Sequence, residues 1–120
     1  MEKAIIWHNP RCRKSREGLK VLEEIAKERG IDIEIRKYLD NPPSAEELKK
    51  VLKMMGAGPR DILRTGEKIW KENFKGRNLT DDELIRIMTE HPKLIERPVV
   101  IYGNKAVLGR PAEKIKSLFA

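Results

Sequence analysis

With 120 residues, 39% hydrophobic and 38% charged, the chain has room for one thin-cored domain, residues 1–120, and little for a second. No apolar run approaches the roughly 18 residues of a membrane span, and the N-terminal MEKAIIW lacks the small-residue cleavage site of a secretory leader. A formal charge of +7 favours an anionic partner, and a single cysteine excludes an internal disulfide, which suits a reducing compartment such as the cytoplasm.

Ala4 to Trp7 are apolar and bounded by His8-Asn9-Pro10, so they read as a short buried strand. From Ser15 the period becomes helical, with Gly18, Val21, Leu22 and Ile25 on one face, Leu19 and Ala26 widening it, and Gly30 at the C-terminal cap. Ile31, Ile33 and Ile35 then alternate with polar residues, completing a βαβ unit. After Asn41-Pro42-Pro43, the box Ser44-Ala45-Glu46-Glu47 opens a helix carrying Leu48, Val51, Leu52 and Met55. Pro59 suits the first turn of a short helix through Leu63, and Thr65 to Asn78 has Ile69, Trp70 and Phe74 as anchors. A second box, Thr80-Asp81-Asp82-Glu83, leads into Leu84, Ile85, Ile87 and Met88, and His91-Pro92 ends that helix. Val99 to Tyr102 and Lys105 to Leu108 flank the hairpin turn Gly103-Asn104, and Pro111 starts a final helix with Ile115, Leu118 and Phe119. The class is α/β: βαβ, a helical insertion over about 44–95, then ββα.

Cys12 lies where the first strand gives way to the first helix. Unpaired N–H groups at a helix start favour an anion, and a thiolate there is further stabilised by nearby cations. Arg11, Arg13, Lys14 and Arg16 flank Cys12 in sequence, Ser15 offers a hydroxyl, and His8 lies across the turn. A lone cysteine is more often a small core residue, but polar and cationic neighbours on both sides are poor company for one. Ser15 at the Cys-x-x-Ser spacing cannot close a disulfide, so a modified Cys12 must be released by an external thiol, which points to glutathione and a glutaredoxin.

The run His8-Asn9-Pro10-x-Cys12-x-x-Ser15-Arg16 resembles the active-site signature of the glutaredoxin-dependent arsenate reductases, and the resemblance extends over essentially the whole chain. Tyr38-Leu39-Asp40-Asn41-Pro42-Pro43, Pro59-Arg60-Asp61-Ile62-Leu63-Arg64, Glu96-Arg97-Pro98-Val99-Val100 and Gly109-Arg110-Pro111 are similar to its later landmarks, in the same order. The resemblance implies a thioredoxin-like fold with a four-stranded mixed sheet and the helical insertion between the second and third strands. It implies Cys12 as nucleophile, with His8, Ser15 and Arg16 supporting its thiolate. It further implies Arg60, Arg97 and Arg110 as an oxyanion clamp, with Asn9 and a cis Pro98 beside the site. Guanidiniums suit this role because they bind tetrahedral oxyanions bidentately and stay charged at any working pH. The implied reaction is reduction of arsenate to arsenite through a thioarsenate on Cys12, with glutathione as co-substrate and glutaredoxin as partner. No bound cofactor or metal is implied, and a monomer is expected. Two alternatives remain open: a family member acting as another thiol oxidoreductase, and a regulator of the Spx type that binds RNA polymerase. The second normally carries Cys-x-x-Cys, against which Ser15 speaks. Nucleic acid is disfavoured as a partner, because Glu is interleaved with the cations along most helices.

Overall fold

The computed structural model describes residues 2–120. Its elements are β1 (Lys3–Trp7), α1 (Arg13–Arg29), β2 (Asp32–Arg36), α2 (Ala45–Met55), α3 (Lys68–Asn73), α4 (Asp81–Glu90), β3 (Val99–Tyr102) and β4 (Lys105–Leu108). Short 3₁₀ helices occupy Pro59–Ile62 and Pro92–Leu94, and a longer run of 3₁₀ turns spans Ala112–Phe119. The strands form one mixed sheet in the order β2-β1-β3-β4, with β1 parallel to β2 and antiparallel to β3, and β3 antiparallel to β4. This is the expected thioredoxin-like arrangement.

Alternation along the strands feeds two cores, one on each face of the sheet. Ala4, Ile6 and Val100 point to one face and pack with Leu22 of α1 and with Ile115, Leu118 and Phe119. Trp7, Val99 and Ile101 point to the other, where the segment between β2 and β3 contributes Leu48, Leu52, Ile62, Leu84, Met88 and Leu94. Both capping boxes form, each with two reciprocal bonds. Glu47 N–H donates to Ser44 Oγ at 3.1 Å and Ser44 N–H to Glu47 Oε1 at 3.0 Å. The Thr80–Glu83 pair repeats this at 3.2 and 3.0 Å. Gly30 and Gly56 end their helices in the left-handed conformation, at φ 68° and 67°.

Local pattern and structure part company at three places. The first helix starts at Arg13 rather than Ser15, and Ser15 is fully buried on the same stripe as Gly18, Leu22 and Ala26. Ile35 alternates as a strand residue should, yet remains 47% exposed, because β2 is an edge strand with no neighbour beyond it. The final segment winds as 3₁₀ turns rather than an α-helix: Lys114 N–H donates to Pro111 C=O at 3.0 Å, and no side chain caps its start. Ile115 and Leu118, three apart, still reach the core.

Arg97–Pro98 is cis, as is Arg110–Pro111. The buried ring of Pro98 sits in a slot between two glycines. A Cβ on Gly18 would lie 2.6 Å from Pro98 Cγ, and one on Gly109 would lie 3.1 Å from it. Only bare backbone lets α1 approach so closely. Gly18→Ala is therefore expected to lower the unfolding midpoint: overpacking costs about 1–3 kcal/mol, more than the roughly 1 kcal/mol of helix propensity gained. Thermal and urea unfolding measure this, and an unchanged or raised midpoint would show that the slot yields.

Candidate active site

Residues 8–12 link β1 to α1, and their backbone is pinned from several sides. Cys12 is the N-cap residue of α1, with extended backbone at φ −92° and ψ 122°. Its N–H donates to Asn9 C=O at 3.0 Å, and its own C=O accepts the first helical bond from Arg16 N–H at 3.0 Å. Asn9 Oδ1 accepts from Arg11 N–H at 3.1 Å. The buried Ser15 hydroxyl accepts from Asn9 N–H at 3.0 Å and meets His8 Nδ1 at 2.8 Å. Burial, then the charges of Lys37 and Arg16, hold the His8 ring below its usual pKa. The neutral ring is accordingly favoured, and its tautomer sets whether Nδ1 accepts from Ser15 Oγ or donates to it. Arg16 Nη1 donates to Pro10 C=O at 3.0 Å. His8, Asn9, Ser15 and Arg16 therefore shape the loop that carries the thiol.

Cys12 itself is half-buried. Burial alone would push its thiol up, but the Arg97 guanidinium, the Ser15 N–H, the Arg97 charge and the Lys14 N–H together outweigh it. The thiol is held below the ordinary cysteine range, and a thiolate is the reactive form. Of the residues flanking Cys12 in sequence, Arg13 and Lys14 instead turn outward to Glu17, at 3.2 and 3.8 Å. The cation that serves the thiol comes from 85 residues along the chain.

Arg97 reaches Cys12 through the register of the sheet. Trp7 pairs with Val99, so the residues just before β3 lie beside the loop just after β1. Val99 also pairs with Leu108, which sets Arg97 opposite Arg110; Arg110 Nη1 donates to Arg97 C=O at 3.4 Å. Among the described residues no carboxylate pairs with the Arg97 side chain, and its Nε is buried without a partner. A second unpartnered buried atom, Tyr38 Oη, shares this neighbourhood. Burial pushes the phenol up to about 12, against the charges of Arg97 and Arg64, so it stays a donor. The loop holding Tyr38 is tied down by Arg36, which donates to Asn41 C=O at 3.0 Å, Pro42 C=O at 2.9 Å and the Glu47 carboxylate at 2.6 Å.

The structure brings two of the expected arginine trio together, Arg97 and Arg110, and sets Arg60 apart from them. Arg60 is exposed within its 3₁₀ turn, and its Nη2 donates to Leu79 C=O at 2.8 Å. Among the described residues no hydrogen bond or ion pair joins it to Cys12, Arg97 or Arg110. Arg64, four residues on, is the one that joins the Arg110 network. An isolated bridge pairs Leu63 with Ile95, with Arg64 N–H donating to Leu94 C=O and Glu96 N–H to Ile62 C=O, both at 2.8 Å. That bridge sets Arg64 beside Glu96, whose Oε1 accepts from Arg64 Nη1 at 2.5 Å and Arg110 Nη1 at 2.8 Å. Both arginines stand in one landmark, Pro59 to Arg64, and no periodicity chooses between them; only the bridge does. Tyr38 and Glu96 also went unassigned from sequence, since a buried tyrosine and a glutamate before Arg-Pro carry no signal of their own.

A thiol held below its ordinary range, a guanidinium that meets no carboxylate among the described residues and two further arginines suit a small tetrahedral oxyanion. Comparisons with known proteins find relatives over nearly the whole chain. A family model described as the ArsC family matches residues 7–118. An arsenate reductase of Neisseria meningitidis serogroup A is 44% identical over 115 residues, which cover 94% of this chain and 95% of that one. One of Escherichia coli is 37% identical over 116 residues, covering 96% and 79% respectively. The solved structure of an arsenate reductase from Vibrio cholerae superposes with a TM-score of 0.84 at 41% identity, covering 97% of each chain.

Alkylation of Cys12 by iodoacetamide, followed by mass across a pH series, should show a midpoint below that of free cysteine. Arg97→Gln should move the midpoint up, because the largest stabilising contact on the thiolate is gone. An unmoved midpoint would leave the helix start as the thiolate's sole support.

Proposed function

The chain belongs to the ArsC family, and from that premise we propose that it reduces arsenate to arsenite, with Cys12 as the nucleophile. The observation that carries this reading is the pairing of a depressed thiol with Arg97, whose side chain meets no carboxylate among the described residues. Arsenate binds first on the open donors of Arg97 and Arg110, with Tyr38 Oη as a further donor. The Cys12 thiolate attacks arsenic, one As–O bond breaks, and the oxygen leaves as water after protonation. Guanidiniums offset the repulsion between thiolate and anion and stabilise the charge that builds on the remaining oxygens.

The chain has no second cysteine to resolve this adduct, so the electrons come from outside. Glutathione then displaces a second oxygen from arsenic, which leaves as water with the thiol proton, and a glutaredoxin thiol attacks the glutathione sulfur. Two thiols become one disulfide, the electron pair of the broken As–S bond stays on arsenic, and pentavalent arsenic becomes trivalent. Hydrolysis frees arsenite and returns Cys12. Such thiol traffic suits the reducing cytoplasm and a monomer whose thiol is open to a docking partner.

Following NADPH oxidation with arsenate, glutathione, glutaredoxin and glutathione reductase tests this. Cys12→Ser should abolish turnover, and Arg97→Ala should raise the KM for arsenate roughly tenfold or more, the worth of a charge-assisted contact. Arg60→Ala should leave both constants unchanged. Wild-type turnover no higher than that of Cys12→Ser would overturn the arsenate reading, and a KM effect from Arg60→Ala would restore that residue to the clamp.

A further inference from the structure

Glu96 stands at the centre of the arginine group, and no step of the proposed reaction uses it. Its Oε1 takes both Arg64 Nη1, at 2.5 Å, and Arg110 Nη1, at 2.8 Å, and also meets the Arg97 N–H at 3.3 Å. The other edge of Arg64 is taken by Glu67, with Nη2 at 3.2 Å and Nε at 3.3 Å from the same oxygen. Three guanidiniums thus face two carboxylates, and one positive charge is left over, on Arg97. The side chains of Arg64 and Glu96 are each only 23% exposed, so solvent screens their contact little. A site built solely to attract a dianion has no use for a carboxylate on two of its three cations.

We propose that Glu96 is a resident counter-ion of the oxyanion site. It holds Arg64 and Arg110 in place while keeping tetrahedral dianions such as sulfate and phosphate from filling the site in tight, unproductive complexes. This rests on the oxyanion reading of the site and adds to it the basis of selectivity. Charge and shape cannot separate arsenate from phosphate, since both present the same oxygens in the same geometry. The covalent step can, because arsenic exchanges oxygen for sulfur readily whereas phosphorus does not. Selection at that step works only if the site is not already full of the unreactive anion. Ground-state affinity shared equally by both anions does nothing for the chemical step. A fixed negative charge among the arginines trims that shared affinity, and the thiolate then captures arsenate covalently.

The sign of the effect separates this role from simple bracing. If Glu96 only positions the arginines, removing its charge weakens anion binding; if it is a counter-ion, removal strengthens it. Glu96→Gln keeps the shape and an acceptor oxygen. The readout is protection of Cys12 from iodoacetamide by sulfate or by phosphate, measured by mass, which requires no arsenate turnover. Half-protection of Glu96→Gln is expected at roughly tenfold lower anion than in wild type, as loss of one nearby charge implies. Should that variant not fold, as judged by its thermal unfolding, Glu96→Ser also removes the charge and is read in the same way. Equal or weaker protection in the variant, with wild type protected, overturns the counter-ion role and leaves the oxyanion site standing. Absence of protection in both proteins overturns the oxyanion site itself, and the counter-ion role with it.

Discussion

The placing of the Arg97 guanidinium where its charge acts on the Cys12 thiol is the constraint to which the rest of the structure answers. A half-buried thiol is pushed towards its neutral form, and a helix start alone offers only partial charges to oppose this. A full cation is required, and it must be brought to the mouth of α1 without being neutralised by a carboxylate on the way. The sheet does this. Pairing of Trp7 with Val99 fixes where β3 begins relative to the Cys12 loop, and Pro98, wedged between Gly18 and Gly109, sets the level of the chain just before it.

A ring of arginines and carboxylates then extends from Arg97 into the segment between β2 and β3. Arg110 comes from the far side of the hairpin, and Arg64 comes from the bridge of Leu63 to Ile95. The insertion is thus more than a cover for one face of the sheet: it supplies Arg64 and Glu67 to the network. Its own stability rests on a core of Leu48, Ile62, Leu84 and Leu94, so the site depends on packing well away from the thiol. The sharing of one Glu96 oxygen by two guanidiniums ties the insertion to the hairpin, and the charge left on Arg97 is what an anion meets.

Most of the fold was legible from local pattern, because its signals are local. Two capping boxes, the helix-ending Gly30 and the Gly103-Asn104 turn all stand where the sequence put them, each being decided within about four residues. The nucleophile was legible for the same reason, since a helix start and its flanks are contiguous. Its electrostatics were not. The flanking cations suggested by proximity, Arg13 and Lys14, pair with Glu17, while the operative one lies 85 residues away. Arg60 and Arg64 are equivalent in type and separated by about one helical turn, so only a tertiary bridge distinguishes them. Tyr38 and Glu96 matter because of what faces them, which a linear reading does not contain.

A crystal structure of the protein grown with arsenate tests the central claim most directly. A tetrahedral anion is expected beside the Cys12 sulfur and in hydrogen-bond contact with the Arg97 guanidinium, with Arg110 within reach and Arg60 still on the Leu79 carbonyl. An anion seated on Arg60, or one bound with Arg97 turned away onto a carboxylate, would contradict it.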